Sequence, residues 1–144
     1  MAQAFALSDR TQTQAAVCYL DLNGFKPIND RYGHDMGDEV LKVTARRLLK
    51  QVRGNDTAAR IGGDEFVLVL TAVKDPAEVG QALRRVMAAI EQPIDLGEGR
   101  VVSVSAAVGT ALYPRDGTTT FELLRAADQA MYADKGHVSA ERSL

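Results

Sequence analysis

The chain has 144 residues, 46% of them hydrophobic and 25% charged, and its net charge is −2. This suits one soluble globular domain with a sizeable core and leaves no room for a second. Such a balance excludes a general pull toward nucleic acid or an anionic membrane, and the single cysteine, Cys18, excludes an internal disulfide and a zinc pattern.

In chain order, residues 2–14 read as a weakly helical stub with Phe5 and Leu7 apolar, and no secretory pattern or membrane-length apolar run appears, which places the domain in the cytoplasm. Residues 15–22, nearly all apolar, predict a central strand covered on both faces, with Cys18 as a buried packing residue. Asp21 interrupts that run. A carboxylate there is costly to bury unless paired or metal-bound, so a ligand role outweighs a solvated strand end. Asn23-Gly24 turns the chain, and residues 25–32 predict a short helix before a break at Gly33.

Asp35 is placed to cap the next helix, whose inner stripe is Val40, Leu41, Thr44, Ala45, Leu48, Leu49 and Val52. Lys42, Arg46, Arg47 and Lys50 read as its solvated face, and residues 53–56 end it. Residues 58–61 and 66–70 predict a hairpin whose turn, Gly62-Gly63, supplies positive dihedral angles. Asp64 and Glu65 follow at once. Two readings stand: a surface hairpin with two solvated acids, or a backbone open to phosphate with a cation held between carboxylate and phosphate.

Asp75-Pro76 with Glu78 opens a third helix, with Val79, Leu83, Val86, Met87 and Ile90 inside. Residues 93–96 and 100–112 predict a second hairpin across Gly97-Glu98-Gly99, and 113–117 form a loop. The last helix opens on Thr119 and Glu122, turns Leu123, Leu124, Ala127 and Met131 inward, and runs to about residue 134. The predicted order is β-α-α-β-β-α-β-β-α, an α+β fold with a mostly antiparallel sheet flanked by helices.

Arg60-Ile61-Gly62-Gly63-Asp64-Glu65-Phe66, together with residues 21–30 (Asp-Leu-Asn-Gly-Phe-Lys-Pro-Ile-Asn-Asp) and 32–38 (Tyr-Gly-His-Asp-Met-Gly-Asp), resembles the GGDEF family of diguanylate cyclases. Several motifs in the right order span most of the chain, which is far more specific than any one of them. The resemblance implies a palm-like nucleotide-cyclase fold and Mg²⁺-dependent (or Mn²⁺-dependent) joining of two GTP into cyclic di-GMP with release of two pyrophosphates. Each domain would bind one GTP, so a second GGDEF domain must face the first.

Carried over by residue, the resemblance implies that Asp21, the Leu22 carbonyl and Asp64 hold the metal, with Glu65 in support. Asp64 would also accept the 3′-hydroxyl proton, and Lys26 would neutralise phosphate charge. Asn29 and Asp38 would read guanine, Gly62 and Gly63 would admit the α-phosphate, and Phe25 and Lys135 would join the substrate site. His34 is either a nucleotide contact or a structural turn histidine. Arg53 and Asp56 resemble an Arg-x-x-Asp product-inhibition site to which Arg84 or Arg85 would add a guanidinium. The same pair also reads as a helix end and its turn.

Two departures stand out. Residues before the first strand lack the family's Leu-Thr-Gly-Leu-x-Asn-Arg opening, which points to one GGDEF domain, 1–144, cut from a longer multidomain protein. Gly136-His137-Val138-Ser139 replaces the Gly-Arg-Asn continuation after Lys135, so an arginine for phosphate is missing. The alternative to a working enzyme is a module that binds GTP or cyclic di-GMP and regulates an attached domain.

Overall fold

A computed structural model describes the backbone of residues 1–143 and the side chains of residues 1–133. The elements are α1 (Ala2–Thr11), β1 (Gln14–Asn23), α2 (Phe25–Tyr32), α3 (His34–Gln51), β2 (Thr57–Gly62), β3 (Glu65–Val73), α4 (Pro76–Ile90), β4 (Ile94–Gly97), β5 (Arg100–Val102), β6 (Ser105–Tyr113) and α5 (Thr120–Ser143). The central sheet has the order β2-β3-β1-β6, and all three of its pairings are antiparallel.

Period-2 alternation along β1 sorts its side chains onto two faces. Ala16, Cys18, Leu20 and Leu22 pack with Ile28 of α2, Val40, Leu41 and Leu48 of α3, and Val79, Val86 and Ile90 of α4. Ala15 and Val17 pack on the other face with Leu123 and Ala127 of α5. Both faces are therefore covered, which is why the strand reads as a continuous apolar run. Cys18 is fully buried, and burial pushes its thiol up to about 12, as a packing residue requires. At Gly109 an added Cβ would collide with the α5 backbone at Ala127 and Met131, so the missing side chain lets that helix lie directly on β6.

Several expectations need correction. The N-terminal stub is a helix, α1, docked by Phe5 stacking on Tyr113 at a centroid distance of 4.4 Å and by the Tyr113 hydroxyl donating to Asp9 (2.8 and 3.0 Å). Gly33, not Asp35, precedes α3, and no side chain caps that helix end; Asp35 lies in the first turn, where its charge suits the helix dipole. Leu49 is exposed rather than inside, because its position on α3 falls outside the face that meets the sheet. Arg47 is more than solvated, since it donates to the carbonyls of Gln92 (2.6 Å) and Pro93 (2.9 Å) and ties α3 to the loop before β4.

The predicted second hairpin divides. β4 and β5 form their own two-stranded sheet, and the chain bends at Ser103-Val104 so that β6 joins β1 instead. The α5 helix continues past residue 134, because one glycine inside a helix costs only about 1 kcal/mol and no proline follows it. Thr119 caps it as expected, its hydroxyl oxygen accepting from the Glu122 N–H at 3.1 Å. Among the described residues, no helix is long and apolar enough to cross a membrane.

Candidate functional site

The β2–β3 hairpin brings Gly62 opposite Glu65. Only one of its two glycines needs left-handed backbone: Gly63 has φ +50°, while Gly62 stays within ordinary strand geometry, so the expectation of two positive angles is half right. Arg60 pins the turn by donating from Nε to the Gly63 carbonyl at 2.8 Å. Both glycines are exposed, and nothing lies within 4 Å of where a Cβ would sit on either.

Register carries the acids together. Asp21 on β1 lies directly opposite Glu65 on β3, and the Leu22 N–H donates to the Asp64 carbonyl at 3.0 Å. Residues 21–22 and 64–65 thus meet at one end of the sheet, as the cation reading requires. Asp21 is 8% exposed, and Asp64 and Glu65 are half-buried. Among the described residues, no group of three or more His, Cys, Asp or Glu side chains forms a ready metal cage. Magnesium commonly takes one or two carboxylates and completes its shell with water and substrate phosphate, and the Asp21 and Asp64 carboxylates are oxygen donors of that kind. The residues present fit the ion in that mode.

Sequence reasoning missed Tyr19. Its hydroxyl donates to Glu65 Oε2 at 2.7 Å, and burial together with the neighbouring Glu65 carboxylate pushes the phenol up to about 12. The available signal was spacing: Tyr19 and Asp21 share a strand face.

The nucleotide-reading candidates lie on α2 and α3, which follow β1 through the Gly24 turn. Asn29 and His34 meet, the amide nitrogen donating to imidazole Nδ1 at 2.9 Å, an arrangement that leaves the ring proton on Nε2. His34 therefore has a structural partner whatever else it touches. Asp38 stands one turn after His34 and is exposed, as is Lys26. Gly37, between the two polar positions, leaves space for Asn29 and Phe25: a Cβ there would collide with Asn29 Oδ1 and sit 3.4 Å from the Phe25 ring. The side chain of Lys135 and the departure at 136–139 lie outside the described residues.

The remaining candidates gather at the opposite end of the hairpin. Asp56 accepts from the Thr71 N–H (2.8 Å), the Thr71 hydroxyl (3.1 Å) and the Arg53 N–H (3.2 Å), so this carboxylate fastens the start of β2 to the end of β3. A cleft of about 560 Å³ opens there, lined by Arg53, Asp56, Thr71 and, from α4, Arg85. Arg85 rather than Arg84 faces it.

The family description "Diguanylate cyclase, GGDEF domain" matches residues 1–140. The chain is 44% identical over 133 residues to the bifunctional diguanylate cyclase/cyclic di-GMP phosphodiesterase MucR of Pseudomonas aeruginosa, covering 92% of this chain and 19% of that protein. It is 38% identical over 144 residues to the diguanylate cyclase TpbB of the same organism, covering all of this chain and 33% of that one. It thus spans a third or less of the length of these curated relatives. The crystal structure of the GGDEF domain of YfiN or TpbB superposes with a TM-score of 0.88 at 39% identity, covering 94% of this chain and 84% of that one. The palm-like α+β architecture is shared, and the chain belongs to the GGDEF domain family of diguanylate cyclases.

Proposed function

We propose that the chain is a working diguanylate cyclase domain of a longer cytoplasmic protein, condensing two GTP into cyclic di-GMP and two pyrophosphates. The observation that carries this reading is the register of β1 on β3, which sets Asp21 against Glu65 and fastens Leu22 to Asp64. When bound, magnesium (or manganese) supplies charge neutralisation at the triphosphate and favours ionisation of the attacking hydroxyl. Asp21, the Leu22 carbonyl and Asp64 hold it, with Glu65 in support.

Asp64 accepts the 3′-hydroxyl proton as that oxygen attacks the α-phosphorus of the facing GTP, and pyrophosphate leaves. The same step in the partner domain closes the ring. Lys26 and, beyond the described side chains, Lys135 neutralise phosphate charge. Asn29 and Asp38 read the guanine edge, with Phe25 and His34 alongside, and the open backbone at Gly62 and Gly63 admits the α-phosphate. Product binds at Arg53 and Asp56, with Arg85 in place of Arg84 as the added guanidinium, and holds two domains in an unproductive pose.

One feature favours a second reading, a module that binds nucleotide without turnover: Gly136-His137-Val138-Ser139 follows Lys135 in place of the Gly-Arg-Asn continuation that the resemblance implies, so an arginine for phosphate is missing. Incubation of the chain with GTP and magnesium, followed by chromatography for cyclic di-GMP, separates the two. Turnover abolished by Asp64→Ala supports the cyclase, and turnover retained in that variant refutes the assigned role. GTP binding without product in the wild type, including a chain extended at its N-terminus, supports the module.

A further inference from the structure

The Tyr19 hydroxyl is the one polar group in the middle of β1, a strand otherwise apolar from Ala15 to Leu20. Tyr19 pairs with Val67 on one side and Gly109 on the other, so Glu65, two residues before Val67, is its diagonal neighbour on the same sheet face. The Tyr19 hydroxyl donates to Glu65 Oε2 at 2.7 Å, a well-formed O–H···O distance. We propose that Tyr19 is a positioning residue that presets the Glu65 carboxylate for the cation, and this rests on the reading that these acids hold one.

Three carboxylates act on the Tyr19 phenol: Glu65, Asp21 on its own strand and Asp128 from α5. A lysine or arginine here would also hold Glu65, but its charge would compete with the cation for the same acids. A phenol donates without adding charge. By occupying Oε2 it fixes a flexible side chain in one rotamer and leaves Oε1 for another ligand, removing an ordering cost from cation binding.

The test is a double-mutant cycle on manganese affinity, read by electron paramagnetic resonance with a non-hydrolysable GTP analogue and therefore independent of turnover. The proteins are wild type, Tyr19→Phe, Glu65→Gln and the double variant, each checked by thermal melting. Tyr19→Phe keeps the ring and should weaken manganese by roughly threefold to tenfold. In the Glu65→Gln background the same change should cost nothing further. Equal losses in both backgrounds, or none in either, would overturn the role given to Tyr19 while leaving the cation site standing. Absence of manganese binding in the wild type would instead overturn the cation site itself and this inference with it.

Discussion

Asp56 and Arg53 are paired by sequence, yet their structural duties differ, and replacing each separately should show it. Asp56→Ala removes the acceptor of three donors, of which the Thr71 N–H and hydroxyl are partly buried and the Arg53 N–H is exposed. The Arg53 amide turns to water at little cost, and the Thr71 hydroxyl can rotate. The Thr71 amide in β3 cannot, and losing a bond to a charged acceptor costs about 1.5–3 kcal/mol. Taking about 2 kcal/mol, a domain of this size should melt about 6 °C lower. Arg53→Ala leaves its own backbone N–H in place and removes an exposed side chain, so its melting point should move by no more than about 2 °C. Circular dichroism melts of both variants at equal concentration decide the matter. An unchanged Asp56→Ala, or an Arg53→Ala that falls as far, would refute the division of labour. If it holds, calorimetry of cyclic di-GMP against Arg53→Ala reads a ligand contact cleanly, whereas Asp56→Ala mixes ligand loss with a loosened hairpin.

Two further outcomes are expected. The Arg115 guanidinium, with help from the Leu112 N–H, holds the Asp116 carboxyl below its usual range, so its stabilisation is present above the unfolded value near 3.9 and is lost as pH falls through the lower folded value. Urea titrations should therefore find wild type more stable than Asp116→Asn at pH 7 and the gap closing as pH falls below the usual aspartate range; a gap that does not change would sink the assignment. Gly37→Ala should push on Asn29 Oδ1 and break the Asn29–His34 bond, weakening GTP roughly tenfold while sparing ATP. Equal losses for the two nucleotides would show that Asn29 does not read guanine.

Elements whose periodicity reports burial were legible in the sequence. β1, the apolar half of β3 and the inner stripe of α4 follow from apolar spacing alone, because the core each meets is the one its pattern demands. The elements missed depend on distant partners. The α1 segment has few apolar residues, and it is ordered by Tyr113 of β6, which supplies both the ring under Phe5 and the hydroxyl to Asp9. The break between β5 and β6 is similar. Residues 100–112 alternate as one strand would, and only competition for the open edge of β1 divides them.

The candidate site divides along the same physical line. Residue types that chemistry requires, acids before an apolar run and glycines at a turn, announce themselves locally, and so Asp21, Asp64 and Glu65 were named before their register was known. What orients those groups is not local. Tyr19 reads as one more aromatic in a buried strand until the alignment of β1 with β3 puts Glu65 on its diagonal. Arg84 and Arg85 are neighbours that sequence cannot rank, because 100° of helix rotation separates a side chain facing the hairpin cleft from one beside it. Asp56 shows the converse. Its motif points to a ligand, and its geometry adds that the carboxylate already has work in the fold, accepting from Thr71 across the hairpin. A carboxylate has about four acceptor sites, and three are taken, so whatever guanine contact Asp56 makes uses the one that remains on Oδ2. On the proposed reading, recognition of cyclic di-GMP at that end of the domain would then come mainly from Arg53 and Arg85.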